Sequence, residues 1–448
     1  MRKPVILLVN PWIADFVAYD LWAKPLGLLM IGQQLRRLGF DIRLLDLLDR
    51  GRFGGPQAGW RSDGRGKYFK TVIPKPALLR SIPRRYGLYG LPPEALGAAL
   101  ADYPRPDIIM VTSHMTYWYP GVRATVERLR QHFPGVPVVL GGIYATLCPE
   151  HARRVIAPDY LVQGYGENMA VRLAAQLTGW ARSPEENPEA DSNPDLPWDL
   201  YPRLHSVAIL TSRGCPFHCT YCATRLLHPQ FVQRSPADVA AEIRQICHGY
   251  GVNQIAFYDD ALLANKTRHF VPIIRQILDW RLPVQFHTPN GLFAREIDDE
   301  IAELMMRAGF QGIRLSLESI AAHWQQASSA KVTPNQYAGA VTSLKKAGFK
   351  AAQIEVYLLM GLPGQTPDEV AESVRWVAET GVITRLAAFS PIPGTVEWHR
   401  AVEMGRIEPD SDPLLTDNTI FPCSDYVAYE WVKQLADRCN RQVRQNEQ

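Results

Sequence analysis

The chain has 448 residues, 46% of them hydrophobic, and a formal net charge of +3. Such a length can bury two substantial cores, and so small a net charge decides nothing about partners. The seven cysteines are odd in number, and Cys148, Cys247, Cys423 and Cys439 show no paired spacing, which excludes a disulfide framework and points to a reducing, cytoplasmic setting. Taken in chain order, the apolar run at 5–9 ends at Asn10-Pro11, too short for a signal sequence or a membrane span. It is predicted as a buried strand. A helix follows over 26–38 and a strand over 42–47. Further on come a strand over 107–112, a helix over 122–133, a strand over 136–140 leading into Gly141 and Gly142, and a strand over 160–162 entering Gly164-Tyr-Gly-Glu167. This alternation of strand and helix is that of a doubly wound parallel sheet. Five strands is the flavodoxin-like, Rossmann-like number, with ligand expected at their C-terminal ends. The predicted first domain is 1–180.

A basic insertion over 50–105 interrupts this domain; its 50–85 part carries ten Lys or Arg residues and one acid, Asp63. It is either a solvated surface or a contact for phosphate. The loop after the third strand, Ser113, His114, Met115, Thr116, Tyr117, Trp118 and Tyr119, belongs to the predicted ligand edge. A lone histidine such as His114 is more often simply hydrogen-bonded, and the aromatic triplet suits either packing or an apolar wall. Residues 181–204, rich in proline and acid, are expected to be a surface linker.

From 207 onward strand and helix alternate again. Strands are expected over 207–210, 254–258, 284–287, 312–317, 353–360 and 383–389, with helices over 236–248, 267–279, 298–308, 334–347 and 368–379. Six units over 205–395 fit an open, partial (β/α)6 barrel with its chemistry at the strand C-termini. Asp259-Asp260, Asn290-Gly291, Ser316-Leu-Glu-Ser319 and Gly361-Leu-Pro-Gly364 all fall at such ends. The two aspartates suit substrate contact or a helix cap equally. A C-terminal helical extension, 396–448, is expected to cover the open side of the barrel.

After the first barrel strand stands Ser212-Arg-Gly-Cys-Pro-Phe-His-Cys-Thr-Tyr-Cys-Ala223, with thiols at Cys215, Cys219 and Cys222. A structural zinc site closes with four ligands, and a 4Fe–4S cluster held entirely by protein takes four thiolates. The local count stops at three. Three thiolates on a four-iron cube leave one iron for an outside ligand; a zinc site or reduced thiols are the alternatives.

This Cys-x3-Cys-x2-Cys run resembles the signature of the radical S-adenosylmethionine (SAM) enzymes. Pro25-Leu-Gly-Leu-Leu29, Arg37-Leu-Gly-Phe40, Val138-Val-Leu-Gly-Gly142 and Gly164-Tyr-Gly-Glu167 resemble the cobalamin-binding domain that precedes many of these barrels, the class B methylase-like group. The Asp-x-His-x-x-Gly motif is absent, so cobalt would lack a lower histidine unless His114 served. The resemblance implies that Cys215, Cys219 and Cys222 hold the cluster, whose open iron takes SAM. Tyr221 would lie near the adenine, Glu318 at the ribose hydroxyls, Lys331 at the SAM carboxylate, and Gly361 in the loop shaping the adenine pocket. Tyr357 departs from the acid that some relatives place there. Ser113 through Trp118, Gly141, Gly142, Gly164, Gly166 and Glu167 would cradle cobalamin.

The implied reaction is methylation of an unactivated carbon or phosphorus centre through a 5′-deoxyadenosyl radical and methylcobalamin. Cyclisation, ring contraction or oxidation is the alternative within the class, and a non-catalytic cobalamin or iron–sulfur sensor the alternative outside it. Expected partners are a small-molecule, lipid or peptide substrate and an electron donor such as flavodoxin or ferredoxin. No nucleic acid and no membrane span are expected.

Overall fold

The computed structural model describes residues 2–53, 61–180, 196–327 and 330–446. Two compact units emerge, Met1–His205 with Asp412–Leu415, and Ser206–Ser411 with Thr416–Gln448.

The first unit is built on β1 (Val5–Asn10), α1 (Leu26–Arg37), β2 (Asp41–Asp46), β3 (Ile108–Val111), α2 (Tyr119–His132), β4 (Val138–Leu140), β5 (Tyr160–Leu161) and α3 (Gly166–Thr178). The sheet runs β5-β4-β3-β1-β2, every pairing parallel. That is the flavodoxin-like order, with the five strands expected from the sequence. β1 is buried along its whole length, as a central parallel strand covered on both faces must be. The strand order reverses between β1 and β3, and the crevice at their C-terminal ends is where such sheets take ligands.

The basic insertion departs from a purely solvated surface. Lys70–Val72 and Ile13–Asp15 both pair antiparallel with Gly87–Tyr89, and Gly66–Lys67 pairs with Tyr19–Asp20. Arg50 is buried and gives hydrogen bonds to Asp20 and the Gly64 carbonyl. Lys70 donates to the Phe16 and Arg85 carbonyls. These cations hold the added sheet to the domain. Residues 54–60 of the insertion lie outside the described residues. So do residues 181–195 of the predicted linker. For its last part the surface-tether reading is corrected: Leu196, Trp198 and Tyr201 are buried, because their apolar area is worth more inside the first unit than in water.

The second unit carries β6 (Val207–Ile209), α4 (Pro236–Tyr250), β7 (Gln254–Phe257), α5 (Phe270–Asp279), β8 (Gln285–His287), α6 (Asp299–Arg307), β9 (Phe310–Glu318), α7 (Pro334–Lys346), β10 (Ile354–Met360), α8 (Pro367–Glu379) and β11 (Ile383–Ala388), then α9 (Val396–Glu403) and α10 (Tyr426–Gln445). These six strands stand side by side in chain order and all parallel, an open βα barrel of six units, and the short strand Leu292–Phe293 adds a seventh that pairs parallel with β9. Helix starts follow local chemistry. Asp298, Thr333 and Thr366 cap α6, α7 and α8, the last two through reciprocal bonds with Gln336 and Glu369; each such cap stabilises its helix by about 1 kcal/mol. β11 is an edge strand, and Asn440 of α10 accepts from the Thr384 amide and donates to its carbonyl, occupying the groups an edge leaves open. No helix among the described residues is long and apolar enough to cross a membrane.

Candidate functional site

In the barrel, β9 ends at Glu318, whose backbone stands at φ +68° after a register shift against β10 between Ser316 and Glu318. A side chain in this left-handed region costs on the order of 1–2 kcal/mol, and such strain persists where neighbours impose it, most often at functional sites. The neighbour here is Lys331. Its Nζ lies 3.1 Å from Glu318 Oε1 and 3.1 Å from the Tyr221 hydroxyl, and both Lys331 and Tyr221 also hydrogen-bond Cys219. The rings of Tyr221 and Phe293 flank the ammonium at 5.7 and 5.5 Å. Burial alone would disfavour the charged amine, but Glu318 and then Cys219 outweigh it and hold Lys331 above its ordinary value. Burial first, and Glu318 second, push the Tyr221 hydroxyl well up. Lys331 is therefore a buried cation at neutral pH, tying the end of β9 to the cysteine loop.

That loop starts from a fixed base. Asp259, buried at the end of β7, accepts from the Thr211 amide at 3.0 Å, from Thr211 Oγ1 at 2.8 Å and from Ser212 Oγ at 2.6 Å. His269 Nε2 lies 2.9 Å from Thr211 Oγ1. Asp259 is thus committed to the loop, being neither a helix cap nor an open carboxylate, while Asp260 is exposed. Gly214 stands at φ +76°, where a Cβ would run into the Gln230 carbonyl. Beyond it, Cys215 and Cys219 are half-buried, Cys222 is exposed, and none of the three is in a disulfide; they lie within electrostatic reach of one another. Among the described residues no three His, Cys, Asp or Glu side chains close around a single ion. Gly361 and Gly364 stand at φ +84° and +83°, and a Cβ on Gly361 would come within 3.1 Å of Ser424 Oγ and 3.2 Å of the Phe421 ring. Tyr357 donates to the Pro289 carbonyl.

In the first unit the crevice edge gathers most of the sequence-predicted loops. Ser113 Oγ donates to the Gly141 carbonyl and accepts from the Ala145 amide. Gly142, at φ +94°, lies so close to Ser113 that a Cβ would collide with its backbone. The Gly164 amide donates to Thr146. Gly166 and Glu167 begin α3. Met115 is exposed, whereas Thr116 and Tyr117 are buried. Trp118 donates to Asp15 at 2.6 Å and Tyr119 to Asp412 at 3.0 Å, so the aromatic triplet is held largely by packing and hydrogen bonds.

His114 Nε2 lies 3.1 Å from Asn10 Oδ1; Asn10 donates to Asp46 at 2.7 Å, and the Tyr201 hydroxyl donates to Asp46 at 2.7 Å. Burial keeps His114 below its usual value, with Asp46 opposing. This chain crosses the ends of β3, β1 and β2. Sequence reasoning missed Asn10, Asp46 and Tyr201, which carry no motif; the signal available was a polar residue closing each of two apolar strands.

Comparison with known proteins agrees with this architecture. Residues 209–377 match the radical SAM superfamily and residues 87–174 the B12 binding domain. The chain carries a radical SAM domain and a B12-binding domain. An uncharacterized methyltransferase of Pyrococcus horikoshii is 26% identical over 66% of this chain and 70% of its own. A cytidylyl-2-hydroxyethylphosphonate methyltransferase of Streptomyces wedmorensis is 21% identical over 91% of this chain and 84% of its own. In fold, this chain resembles the radical SAM methyltransferase TsrM of Kitasatospora setae, solved with tryptophan and a SAM analogue, at a TM-score of 0.65 and 17% identity over 93% of this chain and 83% of that one.

Radical SAM domains work with a 4Fe–4S cluster and SAM, and B12 domains take cobalamin. The residues present fit both. The three thiols share one loop, none of them in a disulfide, and the buried Lys331–Glu318 ion pair lies beside Tyr221 of that loop. At the crevice, Gly142 lies against Ser113 so closely that only a glycine fits, which brings the two loops at the ends of β3 and β4 together at the edge where such sheets take ligands.

Proposed function

We propose that the protein is a cobalamin-dependent radical SAM methyltransferase acting on an unactivated carbon or phosphorus centre, with Cys215, Cys219 and Cys222 holding the cluster. The observation that carries this reading is the Lys331 clamp, which joins Glu318, Tyr221 and Cys219 in one buried set of contacts. A carboxylate can accept both ribose hydroxyls, so Glu318 receives the ribose, while Lys331 meets the SAM carboxylate and Gly361 lets the adenine approach. The loops at Ser113 to Trp118, Gly141, Gly142, Gly164, Gly166 and Glu167 receive cobalamin. When bound, SAM on the cluster supplies hydrogen-atom abstraction and cobalamin supplies the methyl group, the pairing an sp3 C–H bond needs because it is no nucleophile.

The chain's part is to hold these groups and exclude water that would quench a carbon radical. Phe293, buried and edge-to-face with Phe217 at 4.3 Å, walls the clamp from solvent. A one-electron donor such as flavodoxin or ferredoxin serves the cluster. The two methyltransferase relatives and the methyltransferase-like fold support methylation over cyclisation. The test is anaerobic turnover of reconstituted protein with cobalamin, reductant, SAM bearing a deuterated methyl group, and an extract of cells lacking the gene. A labelled product with S-adenosylhomocysteine and 5′-deoxyadenosine is expected; 5′-deoxyadenosine alone, with no labelled product, would refute methyl transfer.

A further inference from the structure

The C-terminal extension reaches the cysteine loop through one residue. Glu397, in the first turn of α9 and 2% exposed, accepts from Thr220 Oγ1 at 2.8 Å, and its amide donates to the Thr220 carbonyl at 3.1 Å. Thr220 stands between Cys219 and Tyr221. Its own amide donates to the Ala327 carbonyl at 3.0 Å, so all three of its polar groups are engaged. The amide that reaches Thr220 is one of those a helix start leaves without an internal partner. The second Glu397 oxygen lies 3.8 Å from Arg400 Nη1, at ion-pair distance without a hydrogen bond. Such burial of a carboxylate is costly and is offset here by the Thr220 hydroxyl and the Arg400 charge. The radical SAM match ends at residue 377, so Glu397 lies outside the part of the chain that the family describes.

We infer that Glu397 is a positioning residue for the cysteine loop: it fixes Thr220 and so sets the spacing of the Cys219 and Cys222 thiols for the cluster. The inference rests on the cluster assignment above. Lys331 and Tyr221 hold the loop from the β9 side through Cys219, and Glu397 holds the next residue from α9. Without the carboxylate, Thr220 keeps its amide bond to Ala327 and its carbonyl bond to the backbone amide of residue 397, while its hydroxyl loses its acceptor.

The test uses the full-length protein, purified and rebuilt with iron and sulfide without oxygen, in the wild type, E397A, T220V and E397Q. Iron release to a chelator is expected to run roughly tenfold faster in E397A and T220V, equivalent to about 1.4 kcal/mol, with shifted g-values in the EPR spectrum of the reduced cluster. E397Q keeps an acceptor for the Thr220 hydroxyl and is expected to restore wild-type release within about twofold. Should E397A fold poorly by far-UV circular dichroism, T220V carries the test, since it removes a hydroxyl at nearly constant volume. Release and spectra identical to wild type in both E397A and T220V would overturn the inference. A wild-type protein that takes up no cubane would instead overturn the cluster assignment, and the inference with it.

Discussion

At Glu318 the backbone angle and the side-chain contacts make separable contributions. Replacing it with Ala or with Gly removes the same carboxylate and leaves the same buried Lys331 without its partner, so the large cost of the unpaired cation cancels between the two variants. What remains is the φ of +68°, which alanine must adopt under strain and glycine adopts freely. E318G is therefore expected to be more stable than E318A by about 1 kcal/mol in urea denaturation, with both losing SAM affinity alike in equilibrium binding. Equal stability would mean that the strand end relaxes once the lysine contact is gone. Much at this scale was legible from sequence: the thiols came from their spacing, and Glu318 and Lys331 from resemblance. The Asn10–Asp46–Tyr201 chain and Glu397 were not, because a hydrogen bond between residues 36, 155 or 177 positions apart leaves no local pattern.

Among elements, the parallel strands announced themselves through continuous apolar runs and the helices through their periodicity and caps. The antiparallel additions at Ile13–Asp15, Lys70–Val72 and Gly87–Tyr89 did not, since two or three residues are too few to show alternation and their partners are distant in the chain. The base of the cysteine loop combines legible and hidden parts. Asp259 was visible at a strand end, but its bond to Thr211, and His269 beyond it, became evident from the fold. Burial, and then the nearby Arg234 charge, lower His269 to about 4 from 6.5. In that window the unfolded chain binds a proton that the folded one refuses, so stability rises with pH and is lost on acidification from about 6.5 to about 4. The variant H269Q keeps a partner for Thr211 and cannot titrate. Its stability is expected to fall less than wild type between pH 6.5 and 4.5, by on the order of 1–3 kcal/mol, in denaturant titrations of the cluster-free protein. Parallel pH curves for the two proteins would show that His269 opens to water and protonates in the folded state.

On the scale of the whole molecule, two units with separate cores and separate ligands make a thermodynamic prediction that a single cooperative block does not share. A ligand stabilises what it binds by RT ln(1 + [L]/Kd), about 2.7 kcal/mol at a hundredfold excess over Kd. That gain appears in the unfolding transition of the unit that holds the site. Hydroxocobalamin should thus raise the midpoint of one calorimetric transition, assigned to the first unit, by several degrees. SAM added to cluster-loaded protein should raise the other. The Asp412–Leu415 segment is the one part of the chain after the barrel strands that clusters with the first unit, held there by the Tyr119 hydroxyl and, at 3.7 Å, by His151. D412N weakens the acceptor that both groups address, and it is expected to lower the cobalamin-sensitive transition while leaving the SAM-sensitive one within error. If both ligands moved one common transition by equal amounts, the two cores would be unfolding together, and the division between them would describe packing without energetic independence.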